Sequence, residues 1–531
     1  MFDRFINNEK YNWKVENIGN ISVGYIGRYK SIYKLLVYFK KENTPKISEV
    51  KKIINQMTGN FAIVVETNHW LFGLVDRIGG YRLFYRNNNF DFKLSNSAHN
   101  LIKKNSGNHS CDSDSILELN MAGYLTGNRT INDSIFQLTA GNMVFFDKDK
   151  SNFKIDSYFE FYASKIRQQN DDLLVDELDD ITDKIIARNI EDANGKTIWV
   201  PLSGGLDSRL IICKLKKSGY DNLRTYSYGV VGNFDAIRAK DISSILGVQW
   251  DFLPTSVEDA RKFFLSQERK DYWNFADGLS VVPNLHGMFA IKKLIDTAEM
   301  KAEDVVINGQ SGDFISGQHI PIIKEQEVNN NGLINQILKK HYSLRGDLFS
   351  DNKSVESVKY RIRESLGGMQ YIENYQEFAK SYEYWGWKER QVKRVVNGQC
   401  NYDYFGLNWE LPFWDLEYLQ FWVDLPLQKK IGRRLFVEYL IKNNFYGLFN
   451  DKTTFMSRWP RQNLPIQFAG NFIKKIFGND VSSKYYKKLD WYSQYQYLYA
   501  LVGQNEYQSN WKNYKGPIPY MVDVWLNENL E

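Results

Sequence analysis

The stretch Thr197-Ile-Trp-Val-Pro-Leu-Ser203-Gly204-Gly205-Leu206-Asp207-Ser208-Arg209-Leu-Ile-Ile constrains the fold more than any other part of the chain. The apolar run Thr197 to Leu202 predicts a buried strand, and two adjacent glycines predict a tight loop. Leu210, Ile211 and Leu215 then resume at helical spacing, so a helix is expected from near Ser208. A strand, a glycine loop and a helix in that order turn several backbone N–H groups toward one point. The helix N-terminus adds about half a positive charge there, so the junction favours an anion.

Just upstream, Asn194-Gly195-Lys196-Thr197 looks like the end of a Walker phosphate loop. The glycine that should open such a motif is Ile190, and the string precedes a strand instead of following one, so it reads as a helix-to-strand turn. The string Ser-Gly-Gly-Leu-Asp-Ser at 203–208 differs. It resembles the signature of the pyrophosphatase-type (PP-loop) ATP enzymes, which split ATP to AMP and pyrophosphate. The resemblance implies that Ser203, Gly204, Gly205, Leu206, Asp207 and Ser208 bind ATP and its pyrophosphate. Gly204 and Gly205 are expected to let the backbone approach the phosphates and to adopt positive φ, the serines to donate hydroxyls, and Asp207 to serve as a hard oxygen ligand for Mg²⁺. The string leaves the acceptor open, since the group also acts on tRNA, guanine nucleotides and NAD precursors.

Later segments narrow the choice. Arg224-Thr-Tyr-Ser-Tyr-Gly229 predicts a second parallel strand, and Asp235 to Gly247 a helix ending at glycine. Asp235 reads either as a nucleotide-side contact or as a helix N-terminal acid. Asp304-Val-Val-Ile-Asn-Gly-Gln-Ser-Gly-Asp-Phe-Ile-Ser-Gly317 is a short strand opening into a glycine-rich loop. Asn408-Trp-Glu-Leu-Pro412-Phe-Trp-Asp415 runs on to Leu425-Pro426, and Asn450-Asp-Lys452-Thr-Thr-Phe455 follows. Together these resemble the asparagine synthetase family over about residues 55 to 470. The resemblance implies that Gly309 and Gly312 also line the ATP site, that Asp207 and Asp313 hold Mg²⁺ on pyrophosphate, and that Lys452 contacts the phosphates. Arg433 or Arg434 falls where the family has a second basic residue. Gln310 stands where asparagine synthetases carry a glutamate, and Gln cannot act as a general base. Phe314 replaces an acid, while Asn408 and Glu410 replace Glu and Arg. His319 lies near enough in sequence to substitute as a base. The Pro412 block reads mostly as helix packing.

The first third alternates short strand-like segments, Ile21–Ile26, Phe61–Val65, Trp70–Val75, Leu83–Tyr85, Phe92–Leu94 and Met143–Phe146, with helical periodicity over Lys46–Met57. This predicts an antiparallel, layered α+β domain. Gly59-Asn-Phe-Ala and Val75-Asp-Arg-Ile-Gly-Gly-Tyr-Arg-Leu-Phe-Tyr85 resemble the family's glutaminase domain, as do Gly123 to Gly127 and Ala140-Gly141. In that family the nucleophile is an N-terminal cysteine exposed when Met is removed. Here the second residue is Phe2 and no cysteine precedes Cys111, so the domain is expected to be structural and without glutaminase activity.

The length of 531 residues allows two or three domains. The expected division is a degenerate glutaminase-like domain at 1–150, an α/β PP-loop synthetase domain with a parallel sheet and helical C-terminal part at 170–470, and an aromatic-rich extension at 471–531. In that extension, Tyr485, Tyr486, Trp491, Tyr492, Tyr495 and Tyr497 are read as a helical face packing on the synthetase domain. A net charge of +5 argues for no nucleic-acid partner. Three scattered cysteines, no signal-like start and no apolar run of spanning length point to a cytoplasmic protein without a membrane partner. The expected activity is an AMP-forming, ATP- and Mg²⁺-dependent carbon–nitrogen ligase joining a carboxylate to ammonia or an amine. Ammonia would come free or from a separate glutaminase. The acid is aspartate or, in a specialised relative, a sugar uronate or a carboxylate within a cyclising molecule. A tRNA-directed enzyme would need a basic RNA-binding domain, and an inactive scaffold would have lost the loop residues.

Overall fold

The structure, a computed structural model, describes residues 12–27, 29–42, 45–88, 91–102, 111–162, 166–285, 287–367, 371–450, 464–490, 504–510 and 513–530. The N-terminal strands are β1 (Lys14–Ile18), β2 (Ile21–Gly27), β3 (Phe61–Glu66), β4 (Trp70–Val75), β5 (Leu83–Asn88), β6 (Asp91–Ser95), β7 (Ile135–Leu138), β8 (Asn142–Asp147) and β9 (Asn152–Ser157). They form two antiparallel sheets, ordered β1-β2-β3-β4-β8-β9 and β6-β5-β7. β3 and β4 are buried along their whole length, which is why they read as near-continuous apolar runs. One face of the larger sheet packs on the helices Tyr29–Lys41 and Ile47–Ile54 through Leu35, Phe39, Val50, Ile63 and Phe72. The other face meets the smaller sheet: a Cβ at Gly73 would lie 2.6 Å from Leu94 and 3.0 Å from Val144, so that glycine lets the sheets close. The expected layered antiparallel fold is present. The helix Tyr29–Lys41 is an addition to the sequence reading, although its Ile32, Leu35, Leu36 and Phe39 keep helical spacing.

The second part is built on a parallel sheet of β10 (Ile198–Pro201), β11 (Leu223–Gly229), β12 (Gln249–Pro254), β13 (Val305–Ile307) and β14 (Asn408–Glu410), ordered β12-β11-β10-β13-β14. All four pairings are parallel. Asn408–Glu410, read in the sequence as part of a helix-packing block, is the fifth strand, because three residues are too short to show periodicity. The chain runs outward from β10 to β12, then returns to place β13 on the other side of β10. The crevice at such a reversal is where open α/β sheets bind ligands. Asn194 and Gly195, at positive φ, make the turn between the helix Asp171–Ala193 and β10, so the Walker-like string is a turn, as read.

The two parts share one continuous core. Trp387 Nε1 donates to the Arg77 carbonyl (3.0 Å), Tyr81 packs on Trp409, and Gly80 leaves room for the Trp409 ring. The helix Ile518–Leu530 buries Met521, Val522 and Trp525 in that core, and Trp525 Nε1 donates to Asp277 (3.1 Å). That helix lies beyond the stretch 485–497 read in the sequence as a packing face. The helix Leu464–Asp490 instead leaves Phe468, Phe472 and Ile476 exposed, and Trp491, Tyr492, Tyr495 and Tyr497 lie outside the described residues. No helix among the described residues is long and apolar enough to cross a membrane.

Candidate ATP site at the carboxyl ends of the parallel strands

A cavity of about 570 Å³ opens at the carboxyl ends of β10, β11 and β13. Ser203, Gly205, Asp207 and Ser208 line it from the first loop, Tyr228, Asn233 and Asp235 from the second, and Gly309, Gln310 and Asp313 from the third. The helix after β10 spans Leu206–Lys217 and thus begins two residues before the predicted Ser208. Its N-cap, Gly205, makes no side-chain capping bond, so no cap side chain competes for the first-turn N–H groups. Leu206 sits against the core and anchors that turn.

The loop glycines differ from expectation in one respect. Neither Gly204 nor Gly205 lies at positive φ; Gly205 has φ −73°, extended backbone leading straight into the helix. Their role is proximity. A Cβ at Gly204 would come within 3.0 Å of Asp235 and 3.3 Å of Arg238. The Gly204 N–H donates to Asp235 Oδ1 (3.2 Å), and the Gly205 N–H donates to Ser203 Oγ (3.2 Å). The Ser203 and Ser208 hydroxyls are 3.3 Å apart. Arg209, fully buried, donates to the carbonyls of Gly204 (2.7 Å) and Leu448 (2.8 Å), clamping the loop from behind. Asp235 is both an acid in the first turn of the helix Phe234–Leu246 and a site-lining group, so its two sequence readings are compatible.

Gly309 and Gly312 bring the third loop against the first. A Cβ at Gly309 would lie 2.8 Å from the Ser208 nitrogen, and one at Gly312 would meet the Asp207 carboxylate and the Phe413 ring. Asp207 is gripped by both terminal nitrogens of Arg433, whose Nε donates to Ser316 Oγ (2.7 Å). Arg434 turns away to Asp171 (2.8 Å), which settles which of the two arginines reaches the site. Burial lifts the Asp207 carboxyl above the usual range despite Arg433, with the Asp313 charge adding to the rise. Asp313 moves the other way: burial opposes ionisation, but His319 (Nε2 to Oδ2, 3.1 Å) and Arg433 outweigh it. His319 is therefore tied to Asp313. Phe314, which stands where an acid was expected, is buried against Phe161, His319 and Trp414, and Gly386 makes room for its ring. Gln310 accepts from Gln399 Nε2 (2.6 Å). Lys452 lies outside the described residues.

Mg²⁺ in nucleotide sites takes one or two carboxylates and completes its shell with phosphates and water. Asp207 and Asp313 face one cavity and feel each other's charge, so the donor set suits such a cation. Among the described residues no cluster of three or more His, Cys, Asp or Glu could hold a metal alone, so the shell depends on the phosphates.

Residues 196–436 match the asparagine synthase family model. The matched asparagine synthase region contains the parallel sheet, all three cavity loops and Arg433. Among solved structures, the chain is similar to the glutamine phosphoribosylpyrophosphate amidotransferase of B. subtilis, complexed with ADP and GMP, at 10% identity over 50% of this chain and 74% of that one, with a TM-score of 0.18. No curated protein matches. An ATP-dependent amide-forming ligase is the activity that the asparagine synthase match supports.

Sequence reasoning passed over Ser316, Gln391, Val395 and Tyr402, and took Tyr226 and Tyr228 only as part of a strand. Gln391 and Val395 come from Gly386–Val395, a π-helical segment. Such segments are rare and gather at functional sites, and they leave no periodic signal in sequence.

Proposed function

We propose that the chain adenylates a carboxylate with ATP and passes the acyl group to ammonia or an amine. The observation that carries this reading is the meeting of the uncapped helix N-terminus, Asp207 and Asp313 in one cavity within the asparagine synthase region. A carboxylate oxygen attacks the α-phosphorus and pyrophosphate leaves. The nitrogen nucleophile then attacks the acyl carbon, AMP leaves, and the nitrogen gives up a proton. Asp207 and Asp313 would hold Mg²⁺ on the pyrophosphate, where it supplies charge neutralisation. The first-turn N–H groups and the Ser203 and Ser208 hydroxyls hold the phosphates. To hold such a cation Asp207 would give up its pairing with Arg433, which would leave the guanidinium beside the phosphates. Lys452 is proposed at the α-phosphate on the strength of the family resemblance, and such preorganised donors are commonly worth ~10²–10³ in rate.

The nitrogen is proposed to arrive from outside the N-terminal layers, in which no cysteine precedes Cys111. There the Asp-Arg motif is spent on structure. Asp76 accepts from the N–H groups of Phe61, Ile78 and Gly80, and Arg77 donates to the carbonyls of Met57 and Ile54. Glutaminase activity is therefore expected at background. The deciding experiment is pyrophosphate release with ATP and a panel of carboxylates, comparing wild type with Asp207→Ala. Release no greater than that of the Asp207→Ala protein across the panel refutes the ligase reading.

A further inference from the structure

The end of the cavity away from the phosphate loop has a defined polarity. Gln310 spends its carbonyl on Gln399 Nε2 (2.6 Å), and Gln391 spends its carbonyl on the Ser311 hydroxyl (2.8 Å). Both amides thus keep their two N–H donors for a ligand. The Gln310 nitrogen lies close to Gly398, 3.6 Å from where a Cβ would stand there. Tyr402 adds a hydroxyl, bridged to Tyr226 (3.1 Å) and Asn308 (3.4 Å), and Val395 adds one apolar contact. Among the described lining residues none is Lys or Arg, His319 is held by Asp313, and Arg433, once released by Asp207, stays beside the phosphates.

An α-ammonium group entering this end would face N–H donors, with Asp207 and Asp313 committed to phosphate and metal. A free α-carboxylate would be desolvated without a cation among these residues. Either burial is costly. Hydroxyl and ring oxygens match the wall, because each accepts from an amide N–H and each hydroxyl can also donate.

Resting on the ligase reading above, we propose that the acid activated here is an oxygen-rich, ammonium-free carboxylate of the sugar-acid class. Gln310 and Gln391 set that specificity through their N–H donors.

The test is ATP-dependent pyrophosphate release by the full chain with glucuronate, galacturonate, aspartate and glutamate. At least one sugar acid should exceed both amino acids at least tenfold in kcat/KM. Gln391→Leu should raise the KM for that acid about tenfold while the KM for ATP stays within twofold, and Gln310→Leu should act in the same direction. Aspartate or glutamate matching the sugar acids overturns the proposal and leaves the ligase reading standing. Release with none of the four overturns the proposal, and silence across the broader carboxylate panel removes the ligase reading as well. An unchanged acid KM in both variants removes the two glutamines from the specificity wall. The wild-type panel decides the acid class even where a variant fails to fold.

Discussion

Replacing Gly309 with alanine tests whether the second glycine loop, and not only the Ser203–Ser208 string, sets the phosphate site. A Cβ at Gly309 would lie 2.8 Å from the Ser208 nitrogen and 3.0 Å from the Asp207 carbonyl carbon. Both neighbours are backbone in the first turn of a buried helix, so no side chain can swing aside. Relief requires the two loops to part by roughly half an ångström, and overpacking of this kind costs about 1–3 kcal/mol. At about 1.4 kcal/mol per factor of ten, that is ~5- to ~150-fold in ATP kcat/KM if the strain falls on the bound state. Gly205→Ala is the control. Its Cβ would meet only the Ser203 hydroxyl at 3.2 Å, and its φ of −73° suits any residue. The assay is initial pyrophosphate release against ATP concentration, with thermal melting of each protein. Gly309→Ala should lose ATP kcat/KM by about fivefold or more, while Gly205→Ala melts with the wild type. A Gly309→Ala enzyme within twofold of wild type would show that the loops do not position one another.

Four further outcomes follow from the same contacts. Asp207→Ala should abolish pyrophosphate release and also lower the melting temperature, because it strands the buried Arg433 guanidinium; an inactive protein of unchanged stability would contradict the ion-pair part of this account. Lys393→Met should cost about 3–5 kcal/mol in denaturant unfolding, since Lys393 lies buried between Glu389 and the carbonyls of Leu125 and Gly127, with buried Glu118 nearby; a loss under about 1 kcal/mol would mean the cluster is not a charged one. Asp76 is lifted from its usual 3.8 to about 6, chiefly by burial, its backbone bonds opposing. The folded state binds that proton more tightly, so this contribution to stability is full below about pH 4 and is lost as pH rises through about 6, on the order of 3 kcal/mol; Asp76→Asn should flatten the melting-temperature profile between pH 4 and 7, and an unaltered slope would assign it to other groups. Chelating Mg²⁺ with EDTA should stop pyrophosphate release, and excess Mg²⁺ should restore it.

The strand, glycine loop and helix around Ser203 were legible because each has a local cause: an apolar run, a glycine pair, and leucine and isoleucine at helical spacing. The buried β3 and β4 were legible for the same reason. Asn408–Glu410 was not, since a three-residue strand carries no periodicity and is defined only by its neighbour β13. The conformation of Gly204 and Gly205 was misjudged because a glycine pair permits positive φ without requiring it; here the glycines serve close approach to Asp235 and Arg238. Asp277 carries no local signal in sequence, yet it is a buried junction accepting from His99 (2.8 Å) and Trp525 (3.1 Å), which lie hundreds of residues apart.

The sequence alone determined the chemistry on offer: a serine-glycine-aspartate string behind a strand, a second aspartate in a later glycine loop, and a glutamine where a base was expected. These are properties of residue type and local order. Tertiary structure decided what each group faces. The order β12-β11-β10-β13-β14 brings Asp207 and Asp313 to one crevice, although they lie 106 positions apart in the chain. It turns Arg433 inward and Arg434 outward, and it sets the amides of Gln310 and Gln391 on one wall. Such pairings arise from strand order and helix packing, which act between segments and leave no trace in the segments themselves.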